Sequence, residues 1–213
     1  MEFPHIMQLI KNSQFDTIYH EHFSYFSLFT IIQLFEKHEL HIVDVDELST
    51  HGGSLRIYAS HKNSLIKSNI ANINLVLEKE AQMKLNEIFG YSGFQDKTNK
   101  IKNELLKFLI EQKQKGKTIA AYGAAAKGNT MLNYCGIKKD LIDFVVDASP
   151  YKRGKYMPAS HIPIVGEEMI RKNKPDFILI LPWNIKEEII KQLNYIKDWG
   201  GQFIVAVPKI EIL

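Results

Sequence analysis

The sequence has a single cysteine, Cys135, among its 213 residues, which excludes a disulfide framework and a thiolate metal cluster. It carries little net charge, +3 from 27 Lys and Arg against 24 Asp and Glu, and this gives no electrostatic reason to expect a nucleic acid or an anionic membrane surface as partner. It also lacks a long apolar run, because the uncharged stretch 22–35 contains Ser, Tyr, Thr and Gln and falls short of the about 20 apolar residues of a membrane helix. We therefore expect a globular cytoplasmic protein without a signal peptide.

The first 63 residues predict a small α+β unit. A short helix is expected from Pro4 to Lys11, and a second, with Ser24 as its N-cap, carries a broad apolar stripe. Apolar and polar residues alternate over 40–48 and 55–60, which predicts two strands joined by a glycine-rich turn.

The rest of the chain predicts a different architecture. Residues 64–116 have the spacing of two connecting helices, over 64–90 and 94–116. From 117 to 213, short and nearly continuous apolar runs alternate with helical segments, as in a parallel sheet covered on both faces. The predicted fold class is therefore α/β: a small α+β N-terminal unit with helices, followed by a Rossmann-like parallel-sheet domain.

The densest group of titratable side chains is the acid–base block, Tyr19-His20-Glu21-His22. An imidazole titrates near neutrality, a carboxylate can fix its tautomer and a phenol can donate a proton, so this set suits proton abstraction. From spacing alone a structural interpretation has slightly better support: the histidines bracket a helix start, Glu21 favours the helix dipole and Tyr19 packs on the core. Adjacent side chains could not all reach one ion, so no metal is expected.

A second candidate site is the run of small residues from Ala120 to Thr130, which follows an apolar strand and opens a helix. Small residues let backbone amides approach a phosphate, and Lys127 would add positive charge. However, Ala125 and Ala126 stand where the dinucleotide fingerprint needs glycine, and a tightly packed turn explains the pattern equally well. Asp147, about twenty residues later, could accept a ribose hydroxyl or cap the next turn.

Two smaller patterns allow similar alternatives. The turn His51-Gly52-Gly53-Ser54 with Arg56 suits a diphosphate or sugar hydroxyls, although Gly-Gly between strands is more often a hairpin turn. The basic loop that begins at Lys152 could contact phosphates, although a solvated charge run is the more common case. Cys135 is expected to be a small buried hydrophobic residue.

Three blocks spread over most of the chain resemble the C-terminal part of the S-adenosylmethionine-dependent sugar C-methyltransferases, which act on nucleotide-linked keto-deoxysugars. The blocks are QFDTIYHEHFSYFSL at 14–28, THGGSLRIY at 50–58 and AYGAAAKGNTMLNYCGI at 121–137. Their order and spacing are similar as well, so the resemblance is more specific than any one motif.

The resemblance implies a general base at His22, with Tyr19 and Glu21 as its helpers, and a Rossmann-like domain that helps to hold a nucleotide diphosphate sugar. The residues expected around that substrate are His51, Gly53, Ser54, Arg56, Gly123, Lys127, Gly128, Asn129, Asp147 and Lys152. In this interpretation the imidazole faces a groove shared with the turn of small residues.

Members of the family also carry, ahead of these blocks, a Cys-rich zinc-binding segment and a complete S-adenosylmethionine domain. Here the acid–base block lies close to the first residue, so we expect the chain to lack the zinc and the methyl-donor site, and to be inactive unless a separate S-adenosylmethionine-binding chain complements it. The expected function is substrate binding and proton abstraction. The alternatives are a non-catalytic nucleotide-sugar-binding module and, on strand–glycine–helix topology alone, an NAD-dependent oxidoreductase.

Overall fold

The computed structural model describes residues 1–213, which form two compact units. Unit 1 comprises residues 1–14 and 21–95, and unit 2 comprises residues 15–20 and 96–213. Each unit has its own β-sheet. No helix in the protein combines the length and the hydropathy that crossing a bilayer would require.

Unit 1 is built on a three-stranded antiparallel sheet with the order β1-β3-β2. Its elements are β1 (Glu2–Pro4), α1 (Ile6–Lys11), α2 (Leu28–Glu36), β2 (Leu40–Leu48), β3 (Ser54–His61) and α3 (Ile70–Gln82). The strand pair predicted from the alternating residues is therefore confirmed.

The core of unit 1 lies between this sheet and the helices α2 and α3. It consists of Leu28, Ile31, Ile42, Val45, Leu55, Ile57, Ile73 and Val76. Ile42 and Val45 are three positions apart on one strand and would face opposite sides in a regular strand. A register shift between Ile42 and Asp44 turns both side chains toward the core.

The starts of the first two helices differ from the prediction. Pro4 belongs to β1 rather than to a helix, and an edge strand tolerates a proline because one side of its backbone has no strand to pair with. Ser27, not Ser24, is the N-cap of α2, and its hydroxyl accepts the Thr30 N–H at 3.1 Å. The predicted start was wrong because Phe26 forms an isolated β-bridge with His5, the residue after β1, so the chain enters the helix only after it.

The predicted connecting helices exist, but the first is shorter than the apolar pattern suggested. Helix α3 begins only after Asn69, whose side-chain oxygen accepts the Asn72 N–H, and it ends at Gln82. Helix α4 (Phe94–Gln114) matches the second prediction and runs from the end of unit 1 into unit 2.

Unit 2 is an α/β domain with a mostly parallel sheet in the order β6-β5-β4-β7-β8-β9, which confirms the predicted Rossmann-like class. Its further elements are β4 (Ile119–Tyr122), α5 (Ala126–Cys135), β5 (Phe144–Val146), β6 (Ile164–Val165), α6 (Glu168–Asn173), β7 (Phe177–Ile180), α7 (Lys186–Gln192), β8 (Gln202–Val205) and β9 (Glu211–Ile212). Only β9 is antiparallel to its neighbour.

The strand order creates a topological switch at β4. From β4 the chain continues to β5 and β6 on one side, and it then returns to β7 on the other side. In open parallel sheets, ligands bind beyond the carboxyl ends of the strands at such a point. The turn that follows Tyr122 therefore occupies the position where a ligand of this domain is expected.

Candidate functional site

The acid–base block lies in the loop between a 3₁₀ turn at Phe15–Thr17 and helix α2. The division of the chain falls inside this block: Tyr19 and His20 belong to unit 2, whereas Glu21 and His22 belong to unit 1. Each pair lines a cleft of its own unit.

The cleft of unit 1 has a volume of about 370 Å³ and brings together side chains from three segments. It is lined by Glu2, Phe3, Pro4, Glu21, His22, Phe23, Ser24, His51 and Ser54. His22 is half-buried, and its ring lies 6.4 Å from the Tyr25 ring in an edge-on arrangement. Glu21 and His51 are exposed. Imidazole, carboxylate and hydroxyl groups thus share one open cleft, which is the set of groups that proton transfer requires.

Backbone hydrogen bonds join the three segments that form this cleft. The His5 N–H donates to the Gly53 carbonyl at 3.0 Å, and the Ile6 N–H donates to the Phe26 carbonyl at 3.1 Å. Gly53 has a φ of +121°, and a Cβ at this position would lie 2.6 Å from Cγ of Gln8. The glycine of the predicted turn is therefore required by its backbone conformation and by a close approach.

Two of the substrate-binding residues predicted in this unit, His51 and Ser54, line the cleft, whereas Arg56 is paired with a carboxylate. The Arg56 guanidinium donates to Glu2 Oε2 from Nη2 at 2.9 Å and from Nε at 3.2 Å. These hydrogen bonds lower the pKa of Glu2. A diphosphate would have to compete with Glu2 for this guanidinium.

The cleft of unit 2 has a volume of about 270 Å³ and lies at the start of α5. It is lined by Tyr19, His20, Ala124, Ala125, Ala126, Asn129, Thr130, Met157 and Pro158. The N-cap, Ala125, has no side chain that can cap the helix. Oδ1 of Asn129 is buried without a hydrogen-bond partner. A helix N-terminus that opens into a cleft beside the exposed His20 suits an anionic group.

Lys127, which was expected beside a phosphate, is not among the residues that line this cleft. It is buried, its Nζ lies 4.6 Å from the centre of the Trp183 ring, and it donates to Asn184 Oδ1 at 3.0 Å. Burial lowers the pKa of Lys127, and the nearby carboxylate of Asp16 acts in the opposite direction. Its positive charge therefore offsets a buried negative charge of the protein itself.

The family of the chain follows from comparison with known proteins. Residues 49–208 match the family described as the C-methyltransferase C-terminal domain. The chain belongs to this family. Over all 213 residues it is 37% identical to the C-methyltransferase NovU of Streptomyces niveus, and it spans half the length of that protein. The family that the three sequence blocks suggested is thereby confirmed.

Two glycines at and after the turn that follows β4 in this C-methyltransferase C-terminal domain pack closely against neighbouring side chains. Gly123 has a φ of +98°, and a Cβ on it would lie 2.5 Å from Cδ of Pro182. A Cβ on Gly128 would lie 2.8 Å from Cδ1 of Leu181. Both glycines are therefore needed for packing against neighbouring side chains.

Asp147 has several hydrogen-bond partners within the domain. Its carboxylate accepts the N–H groups of Ala124 and Ser149, both at 2.8 Å, and the Nζ of Lys152 at 3.2 Å. Lys152 also donates to the Ala124 carbonyl at 2.8 Å. Asp147 therefore caps the turn before Pro150, which was the alternative to its expected contact with a ribose hydroxyl, and together these contacts hold the loops after β4 and β5.

Sequence reasoning missed three buried polar residues: His5, Asp16 and Glu80. Asp16 does stand within the first sequence block, six residues before His22, but His5 and Glu80 belong to none of the three blocks. Cys135 is buried as predicted, and burial raises the pKa of its thiol to about 12. No group of three or more His, Cys, Asp and Glu side chains is arranged to hold a metal ion.

Proposed function

We propose that this domain binds a nucleotide-linked keto-deoxysugar and removes a proton from the carbon next to its ketone, which prepares that carbon for methylation. Membership in the C-methyltransferase family supports the class of reaction. The observation that carries the proposal is that His22 and Glu21 line an open cleft rather than a packed interior. A general base must be within reach of its substrate.

The chemistry determines which groups the protein must supply. A hydrogen next to a ketone becomes acidic only when the resulting enolate is stabilised, so a base and a donor to the carbonyl oxygen are both needed. We assign His22 as the base that takes the proton and Glu21 as the carboxylate that stabilises the imidazolium. An imidazole or a hydroxyl of the same cleft supplies the donor to the enolate oxygen, because Tyr19, the donor that the resemblance implied, lines the cleft of unit 2.

The nucleotide part of the substrate is assigned to unit 2. The cleft at the start of α5 is supported as the place for phosphate oxygens by the positive end of the helix dipole and by His20 and Asn129 in its lining. Lys127 has no part in this assignment because it is buried beside Trp183.

S-adenosylmethionine, when bound, supplies an electrophilic methyl group. We assign its site to another part of the enzyme or to a separate chain, because the family of this chain is described as a C-methyltransferase C-terminal domain and the chain spans half the length of NovU. The domain by itself is then expected to exchange protons without methylating the sugar.

Deuterium exchange tests the role of His22. The chain is incubated with a dTDP-linked keto-deoxysugar in D₂O, and loss of the α-proton signal is followed by ¹H NMR. We expect His22→Ala to slow the exchange by about a hundredfold or more. His38→Ala is the matched control, since His38 is exposed and does not line the cleft, and it should exchange like the unchanged chain.

Calorimetry, which measures binding of the sugar nucleotide or of NAD, separates this function from the alternatives when it is combined with the exchange experiment. If the keto-sugar nucleotide binds but neither the unchanged chain nor the control exchanges its α-proton, the domain is a non-catalytic nucleotide-sugar-binding module. If exchange occurs equally in His22→Ala, the base lies elsewhere. Binding of NAD in place of the sugar nucleotide would favour the oxidoreductase.

A further inference from the structure

We propose that Glu80, through its buried contact with His5, is a positioning residue that holds the walls of the unit 1 cleft and thereby places His22. This inference rests on the proposed function, which assigns His22 as the base.

Glu80 connects three elements of unit 1. It lies on α3 and is 2% exposed, and its Oε1 is 2.7 Å from Nε2 of His5. The same oxygen accepts the Leu28 N–H at 2.6 Å, and Oε2 accepts the Phe29 N–H at 3.0 Å. These two amides belong to the first turn of α2, so the carboxylate fixes the start of the helix that directly follows the loop of Glu21 and His22.

His5 extends this connection to the other two walls of the cleft. It follows Pro4, which lines the cleft, and its N–H donates to Gly53 in the turn next to Ser54, which also lines the cleft. Its backbone also forms a bridge with Phe26, shortly after the loop of His22. All three wall segments are therefore joined next to the His5–Glu80 contact.

Because the contact between Glu80 and His5 is polar, its role can be distinguished from that of a packed apolar side chain. A carboxylate loses hydration when it is buried, and an apolar side chain of similar size would pack here without that cost. Hydrogen bonds, unlike apolar contacts, fix distance and direction. The three donors around Glu80 therefore define one arrangement of the cleft walls.

Glu80→Gln tests this role with little change in shape. In either orientation the amide places an NH₂ group where one of the α2 amides, Leu28 or Phe29, needs an acceptor, so one hydrogen bond is lost. We expect the His22 Cε1–H resonance to move in ¹H–¹³C NMR, and kcat for α-proton exchange to fall about tenfold with KM changed by less than about twofold. Glu78→Gln, on the exposed side of the same helix, should change none of these.

A folded Glu80→Gln chain, verified by circular dichroism, with an unchanged His22 resonance and unchanged kcat would overturn the proposal. If this variant does not fold, His5→Gln is measured in its place. Its amide can still donate to Glu80 but has a different reach, so we expect the His22 resonance to shift, and no shift would contradict the proposal. The His22 resonance can be measured without any turnover of substrate. If the unchanged chain exchanges no protons, the proposed function fails, while the NMR shift still decides the role of Glu80.

Discussion

Each unit buries one carboxylate almost completely, and the two carboxylates have different surroundings. In unit 1, Glu80 contacts His5 and accepts two backbone N–H groups. In unit 2, Asp16 accepts one N–H from Trp183 at 2.7 Å, and its Oδ1 has no hydrogen-bond partner. Burial raises the pKa of Asp16 to about 6, although Trp183 and Lys127 act in the opposite direction.

The difference shows that two buried acids can have opposite effects on stability. The donors around Glu80 compensate for lost hydration, so its removal leaves buried groups without an acceptor. The hydrogen bonding of Asp16 compensates less, because its Oδ1 has no partner, so the charged form is disfavoured in the folded state. Loss of the Glu80 carboxylate is therefore expected to destabilise unit 1, whereas loss of the Asp16 charge removes an electrostatic cost that depends on pH.

The largest expected effect is that of Glu80→Ala. It leaves His5 and the amides of Leu28 and Phe29 buried without their acceptor, and we expect a loss of about 3–5 kcal/mol in the free energy of unfolding. Urea denaturation followed by circular dichroism measures it. Glu78→Ala on the same helix is exposed and should change stability by about 0.5 kcal/mol or less. Equal losses in the two variants would show that the buried contacts of Glu80 add no stability.

Asp16→Asn is expected to change the pH dependence of stability. The carboxyl of Asp16 has an ordinary pKa of 3.8, which the folded protein raises to about 6, so the folded state binds the proton more tightly. Its contribution to stability is therefore greatest below about pH 4 and decreases as the pH rises to about 6, by about 3 kcal/mol in all. The amide can still accept from Trp183 but does not titrate, so the variant should lack this decrease.

Urea denaturation of both proteins at pH 4, 5, 6 and 7 measures the difference. We expect the stability of the unchanged chain minus that of Asp16→Asn to become smaller as the pH rises through this range. A constant difference would mean that Asp16 does not titrate there, and the contrast with Glu80 would then be limited to hydrogen bonding.

These two acids also show why part of the site could not be predicted from the sequence. Glu80 and His5 are 75 residues apart, and Asp16 and Trp183 are 167 apart, so no local pattern connects them. The expectation that Lys127 lies beside a phosphate failed for the same reason. A local motif does not reveal the aromatic ring and the carboxylate near Lys127, which come from distant parts of the sequence. The acid–base block could be found because its titratable groups are adjacent in sequence.

The fold was more predictable where the pattern is long. The apolar runs of β4, β5, β7 and β8 are separated by helices, and this alternation specifies a parallel sheet. The three remaining strands of two or three residues, β1, β6 and β9, were not predicted. Unlike β5, which is also short but belongs to the alternation of apolar runs and helices, these strands have no sequence pattern of their own, and their pairing depends on neighbours from elsewhere in the chain.

Gly123→Ala tests whether packing holds the turn of unit 2, as hydrogen bonds hold the cleft walls of unit 1. A Cβ at this position adds a close contact with Pro182 to the strain of a φ of +98°, and we expect a loss of about 2–4 kcal/mol. Gly154→Ala is the matched control, because its φ is +77° but nothing lies within 4 Å of the added atom, and it should cost about 1 kcal/mol. Thermal unfolding of both variants measures the difference. Similar losses of stability in the two variants would mean that the positive φ, and not the contact with Pro182, is the reason for a glycine at position 123.

The smallest expected effect is that of a substitution at the start of α2, where Glu80 accepts hydrogen bonds from two backbone amides. Ser27 accepts a third, that of Thr30, at 3.1 Å, so Ser27→Ala should destabilise unit 1 by about 1 kcal/mol. Ser24 is exposed and lies outside the helix, and Ser24→Ala should leave the urea midpoint unchanged. If Glu80 already determines where α2 begins, Ser27→Ala will lower stability without shifting the His22 resonance. A shift as large as that of Glu80→Gln would instead make the helix cap, and not the buried carboxylate, the feature that places the base.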